Sequence, residues 1–163
     1  MPSACGETPA SPAPERDRAR GALYGLAIGD ALGMPTQLMS RERITERWGP
    51  LLSGFEPAPP GHPIAAGMPA GAVTDDTEQA VLLGRLLARG PVDPRELAAA
   101  LVAWEQEMEE RGSLDLLGPS TRRALSAVAA GTPPEEAGAT GDTNGAAMRI
   151  APVGVAVSAG AGA

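Results

Sequence analysis

The chain has 163 residues, of which 43% are apolar, 20% charged and only 2% aromatic, with a formal charge of −7. That length allows one domain of ordinary size, and an apolar fraction rich in Ala suits close-packed helices better than a β-sandwich. The acidity argues against a nucleic-acid or anionic-membrane partner.

Residues 1–15 are rich in Pro, Ala and Ser without periodicity, and read as a disordered tail. They lack the basic start and apolar run of a secretory signal, and Cys5, the only cysteine, leaves no disulfide framework. A cytoplasmic protein is expected. A helix is predicted from Arg16 to Gly33, and the folded domain is placed at residues 18–157 between tails at 1–17 and 158–163. Gly21, Gly25, Gly29 and Gly33 recur every four residues and form one bare stripe on that helix. Each mid-helix Gly costs roughly 0.5–1 kcal/mol relative to Ala. The stripe therefore implies either a closely packed neighbouring helix or an active-site wall. Asp30, among Gly and Leu, needs a partner.

Ser40 is expected to cap a short helix ending near Trp48-Gly49. Residues 50–71 hold six prolines and no period of either kind, and a loop of that length in a compact domain is commonly functional. His62, inside it, reads as a bystander.

The next stretch, Val73-Thr74-Asp75-Asp76-Thr77-Glu78, is the densest chemistry in the chain. Thr74 or Asp75 is a good N-cap, and Asp75 to Glu78 has capping-box spacing. A capped helix explains one side-chain oxygen, whereas here four polar side chains stand in a row. Adjacent carboxylates repel unless a cation lies between them, and carboxylates with hydroxyls are the donors Mg²⁺ prefers. A Mg²⁺ site at a helix start is expected. That helix is predicted to stop at Arg89-Gly90-Pro91.

Asp93-Pro94-Arg95-Glu96 opens a further helix, with N-cap, Pro at the first position and Glu three residues after the cap. It runs through Leu97, Leu101, Val102 and Trp104 toward Met108, with Glu105, Glu107, Glu109 and Glu110 as a solvated face. Another helix is predicted from Pro119 to Ala130, closed by Gly131. A Gly-rich turn then leads into Gly141-Asp142-Thr143-Asn144-Gly145-Ala146-Ala147-Met148-Arg149-Ile150-Ala151-Pro152-Val153-Gly154. A Gly/Asn loop opening a small-residue helix exposes N–H groups to an anion. An Asn-Gly turn before a packed helix explains the same spacing. Residues 156–163 are Ala/Gly-rich and bring no stop signal, so the chain reads as one that ends within a larger fold.

Gly25-Leu26-Ala27-Ile28-Gly29-Asp30-Ala31-Leu32-Gly33, Thr74-Asp75-Asp76-Thr77 and Asn144-Gly145-Ala146-Ala147-Met148-Arg149-Ile150-Ala151-Pro152-Val153-Gly154 together resemble the ADP-ribosylglycohydrolase family, over roughly residues 18–157. The resemblance implies an all-α, orthogonally packed helical domain, and a Mg²⁺-dependent hydrolase that removes ADP-ribose from proteins or small conjugates. It implies two Mg²⁺ ions, with Mn²⁺ as a possible substitute. Thr74, Asp75 and Asp76 would be metal ligands, with Asp75 and Asp76 central to catalysis. Gly141, Asp142, Thr143, Asn144 and Gly145 would hold the ADP-ribose, with Gln37 a further substrate-binding residue, and Asp30 would be a supporting group.

Two departures bear on mechanism. Where many relatives carry a gating glutamate after the first motif, this chain has Gln37, which is neutral and cannot act as a base. The family's second metal motif, an Asp-x-Asp-Thr type cluster, has no counterpart, since no Asp follows Asp142. The sequence thus looks like the N-terminal half of an enzyme, or else a catalytically incomplete ADP-ribose-binding relic. A diphosphate-processing isoprenoid enzyme fits poorly, because Gln79 stands where that acidic motif wants another Asp and aromatic walls are lacking.

Overall fold

The structure is a computed structural model and describes residues 14–160. Those residues fold into helices joined by turns, with no strand among them. Among the described residues no helix is long and apolar enough to cross a membrane.

Helix α1 spans Pro14–Gly33. It starts two residues before Arg16, because proline suits a first helical turn and Glu15 and Asp17 favour the positive end of the helix dipole. Residues 14–17, expected in the tail, are therefore helical. The rest of that expectation, residues 1–13, lies outside the described residues. A 3-10 turn, Met34–Thr36, follows, with the Thr36 hydroxyl donating to the Gly33 carbonyl at 2.9 Å. Helix α2, Arg41–Trp48, is capped by Ser40, whose hydroxyl accepts the Arg43 N–H, and it ends at Gly49 with φ 80°.

The long segment 49–74 forms turns that wrap the end of α1. Met34 is fully buried in a cluster with Ala58 and Ala65, and Met68 and Ala72 pack against it. The segment thereby gains a small apolar core without regular structure.

Helix α3, Asp75–Leu87, has Thr74 as its N-cap, with the Thr74 hydroxyl accepting the Asp76 N–H. That register differs from the expected capping box of Asp75 and Glu78. Glu78 sits one position too late to reach back to the cap, and instead accepts the Trp104 indole N–H at 2.7 Å. Helix α4, Pro94–Glu110, begins as predicted, with Asp93 accepting the Arg95 N–H at 2.8 Å. Leu101, Trp104 and Met108 on α4 recur at helical spacing and build the main core with Leu117. Truncating one such side chain to Ala costs about 2–5 kcal/mol. Val102 lies on the other face and is exposed. Of the expected solvated glutamates, Glu107, Glu109 and Glu110 are exposed. Glu105 is turned inward and pairs with Arg122 across the helix interface at 2.6 Å.

Helix α5, Pro119–Ala129, is followed by the short turns α6, Pro134–Ala137, and α7, Gly145–Met148, and then by α8, Ile150–Gly160. The expected tail at 158–163 is thus helical through Gly160, and residues 161–163 lie outside the described residues. Helix α3 packs on α8 closely enough that a Cβ on Gly84 would meet the Pro152 Cβ at 3.4 Å. The glycine stripe of α1 behaves differently. A Cβ on Gly21, Gly25, Gly29 or Gly33 would meet nothing within 4 Å. No described helix packs on the stripe, and Gly25, Gly29 and Gly33 line an open cleft.

Candidate active site

The cleft has a volume of about 940 Å³ and lies between α1, the start of α3, the α4–α5 connection and the 143–145 loop. Its floor is organised by Asp30. This α1 carboxylate accepts the backbone N–H and hydroxyl of Thr74 at 2.8 and 2.7 Å, and those of Thr77 at 3.2 and 2.6 Å. The first N–H groups of a helix have no intrahelical partner, so an anion there satisfies them and complements the helix dipole. The partner that Asp30 required is therefore the N-terminus of α3.

Asp75 and Asp76 line this floor together with Asp30 and Asp115. Asp115 lies in the α4–α5 connection and accepts the Asp75 backbone N–H at 2.8 Å. Burial, reinforced by the Asp115, Asp76 and Asp30 charges, pushes the Asp75 carboxyl up to about 7, with Arg149 opposing. Burial and Asp30 also raise Asp76, against a hydrogen bond from Asn144 and the charge of Arg149. Asp115 is raised chiefly by burial. The floor is a group of acids held together against their own repulsion.

Thr74, expected to be a metal ligand, does not line the cleft. It is 2% exposed, its hydroxyl proton goes to Asp30, and the same oxygen accepts from Asp76. Beneath the floor, Arg149 of the 144–154 motif donates to the Gln79 amide oxygen, and Gln79 donates to Asp75 Oδ2 at 2.9 Å. Gln79 is fully buried. Arg can only donate, so the Gln79 oxygen must face it and the Gln79 NH₂ must face Asp75. That fixes Asp75 Oδ2 as an acceptor and a single orientation of its carboxylate.

One wall is the 141–145 loop, which the structure divides. Thr143, Asn144 and Gly145 line the cleft, whereas Gly141 and Asp142 turn away from it. Gly141 donates its N–H to the Gly138 carbonyl. The Asp142 carboxylate accepts from the hydroxyl of buried Ser120 and from Arg123, which hold it below the usual carboxylate range. Asp142 thus anchors the loop to α5. Gly145 is closely approached: a Cβ there would stand 2.8 Å from Thr121 Oγ1 and 3.0 Å from the Arg149 guanidinium, so both side chains would have to shift. At the rim, Gln37, Leu38 and Ile64 face the cleft. His62 is no bystander. It is buried and bridges the Gln37 carbonyl and the backbone N–H groups of Ile64 and Ala65.

Asp115, Arg149 and His62 were without a role in the sequence reading. Asp115 stands 40 residues from its partner Asp75, and Arg149 stands 70 from Gln79. Only His62 gave a local signal, as a polar ring within a loop of Pro, Gly and Ala.

The donor set suits a hard divalent cation in kind. Adjacent carboxylates whose ionised forms are disfavoured would be relieved by a positive ion. In number it is short: among the described residues, no three His, Cys, Asp or Glu side chains are grouped so as to hold a metal. Asp75 and Asp76 can supply part of a coordination shell.

Residues 11–162 match the family model described as ADP-ribosylglycohydrolase. The chain is 38% identical over 140 residues to YegU of Escherichia coli K12, an uncharacterised protein, covering 85% of this chain and 41% of that one. It is 32% identical over 149 residues to the ADP-ribosyl-[dinitrogen reductase] glycohydrolase of Rhodospirillum rubrum, covering 86% and 45%. A solved chain of an ADP-ribosylglycohydrolase-related protein complex superposes with a TM-score of 0.63 at 32% identity, covering 85% and 42%. The chain spans less than half the length of each of these proteins.

Proposed function

The chain belongs to the ADP-ribosylglycohydrolase family, and from that premise we propose that it forms the substrate cleft and part of the metal site of a Mg²⁺-dependent hydrolase. The reaction is cleavage of the N- or O-glycosidic bond of ADP-ribosylated proteins or small ADP-ribose conjugates, in the cytoplasm. The observation that carries this reading is the Asp75–Asp76 pair on the floor of a cleft that Thr143, Asn144 and Gly145 also line.

In this reading Asp75 and Asp76 hold the cation, with Mn²⁺ as a possible substitute. When bound, the ion would grip ribose hydroxyls and polarise an attacking water. The chain's own residues do the rest. Asp30 holds the start of α3 rigid, so that Asp75 and Asp76 keep one geometry. The acidic floor favours the positive charge that develops at the anomeric carbon in an oxocarbenium-like transition state. Asn144 and Gly145 contact the ADP-ribose, and Asp142 fixes their loop from behind. Gln37 contributes hydrogen bonding at the rim but no base, which separates its role from that of a gating carboxylate.

A second reading is favoured by the short donor set: an ADP-ribose-binding chain that is catalytically incomplete. Calorimetric titration of ADP-ribose with and without Mg²⁺ tests both. Binding that strengthens with Mg²⁺ supports the metal-dependent site. Binding indifferent to Mg²⁺ supports the second reading, and no binding in either condition overturns both.

A further inference from the structure

Residues 36–39 form a β-turn closed by the Met39 N–H on the Thr36 carbonyl at 3.1 Å. Gln37 has φ −52° and ψ 138°, and Leu38 has φ 57°. Those angles define a type II turn, whose third residue is ordinarily Gly or Asn, because a Cβ there crowds the backbone. Among the described residues, Leu38 is the only non-glycine with positive φ. Burial of the side chain could offset that strain, but Leu38 is 76% exposed. It lines the cleft beside Gln37 and Ile64. The strain brings the fold no core contact.

The turn is also held in this form. Type I and type II turns differ by a flip of the central peptide, here the one joining Gln37 to Leu38. His62 binds the carbonyl of that peptide with its Nε2–H at 2.9 Å, while Nδ1 accepts the N–H groups of Ala65 at 2.9 Å and Ile64 at 3.3 Å. Backbone N–H groups only donate and carbonyls only accept, so these partners fix one ring tautomer. The imidazole is 5% exposed, and Met34 and Pro35, just before the turn, are fully buried. A flip to type I would strip His62 of its Gln37 partner inside the protein, and the resulting unsatisfied group disfavours the flip. A buried histidine and a strained leucine together present one apolar side chain at the rim.

We infer that Leu38 is a ligand-contacting residue, a specificity determinant that packs on the apolar part of bound ADP-ribose, and that His62 is the residue that positions it. The inference rests on the reading of this cleft as an ADP-ribose site. It gives the long 49–74 segment a task, which is to carry His62 to the turn.

The test compares wild type, Leu38→Gly, His62→Ala and the double variant by thermal melting and by calorimetric titration of ADP-ribose at saturating Mg²⁺. Leu38→Gly keeps the turn while removing both strain and side chain. Its melting temperature should hold or rise while ADP-ribose binds about tenfold more weakly, the worth of one apolar contact. His62→Ala should lose affinity by a similar factor, and the double variant should lose little more, because both act through one contact. Unchanged affinity in Leu38→Gly, or affinity lost only in step with thermal stability, overturns the inference while leaving the cleft reading intact. A wild-type chain that binds no ADP-ribose removes the cleft reading itself and the inference with it. If His62→Ala does not fold, Leu38→Gly decides alone.

Discussion

Asp30 reaches from α1 to Thr74 at the head of α3, accepting its backbone N–H at 2.8 Å and its hydroxyl at 2.7 Å. The same carboxylate takes both donors of Thr77, so one side chain joins two helices and caps one of them. Asp30→Asn replaces an anionic acceptor with an amide that can accept at only one of its two ends. Charge-assisted hydrogen bonds contribute about 1.5–3 kcal/mol each and partly compensate one another, so a loss of about 2–3 kcal/mol is expected. Urea unfolding at neutral pH measures it. A variant within 0.5 kcal/mol of wild type would mean that the cap is held by something else.

The pH dependence of the metal-free protein follows from Asp75, raised from 3.8 to about 7 by burial and by its acidic neighbours. A carboxyl raised in the folded chain favours folding while protonated. Its contribution is fully present below 3.8 and is lost as pH rises through about 7. In the presence of chelator the melting temperature should therefore fall between about pH 4 and 7 and level off above that. Asp75→Asn should flatten most of that slope. Parallel pH profiles for the two proteins would contradict it.

Mg²⁺ should reverse that loss by giving the ionised carboxylates a partner. A ligand at ten times its Kd stabilises the folded state by about 1.4 kcal/mol. The shift in melting temperature should be larger at pH 8 than at pH 5.5, where Asp75 holds its proton. Asp76→Asn should abolish the shift while leaving the helical signal in circular dichroism unchanged. A Mg²⁺ shift that survives in Asp76→Asn would move the ion elsewhere.

Two glycines should respond in opposite directions to a methyl group. Gly145→Ala would push against Thr121 and Arg149 at 2.8 and 3.0 Å and should destabilise by about 1–3 kcal/mol. It should also weaken ADP-ribose binding, because Arg149 then loses its place against Gln79. Gly21→Ala meets nothing within 4 Å and should stabilise α1 by about 0.5–1 kcal/mol through helix propensity. Chemical denaturation of the pair separates close approach from propensity.

The sequence was most informative where structure is local. Ser40, Asp93-Pro94 and Gly49 act on backbone groups within a turn of themselves, and their helices begin and end where expected. The acids at 75 and 76 stood out because adjacency is visible in one dimension. Register within a cap was harder: Thr74 and Asp75 are both competent caps, and the choice fell to Thr74 because Asp30 binds its hydroxyl. Asp115 and Arg149 could not be placed, since their partners come from distant segments. Glu105 looked solvated from its helix position, and only the docking of α5 gives it Arg122. The glycine stripe permitted two explanations, and the open space beside it selects the cleft wall.

The hydrogen bonds that build the cleft floor join residues 40 to 70 positions apart. Closing loops of that size has an entropic cost that grows only slowly with length, but it must be met before any of these bonds returns energy. The individual helices can form early from their own caps, whereas the floor can form only once four separate stretches have converged. Assembly of the cleft floor is therefore a late property of folding. Helix content alone would overstate how much of a sample has formed its cleft.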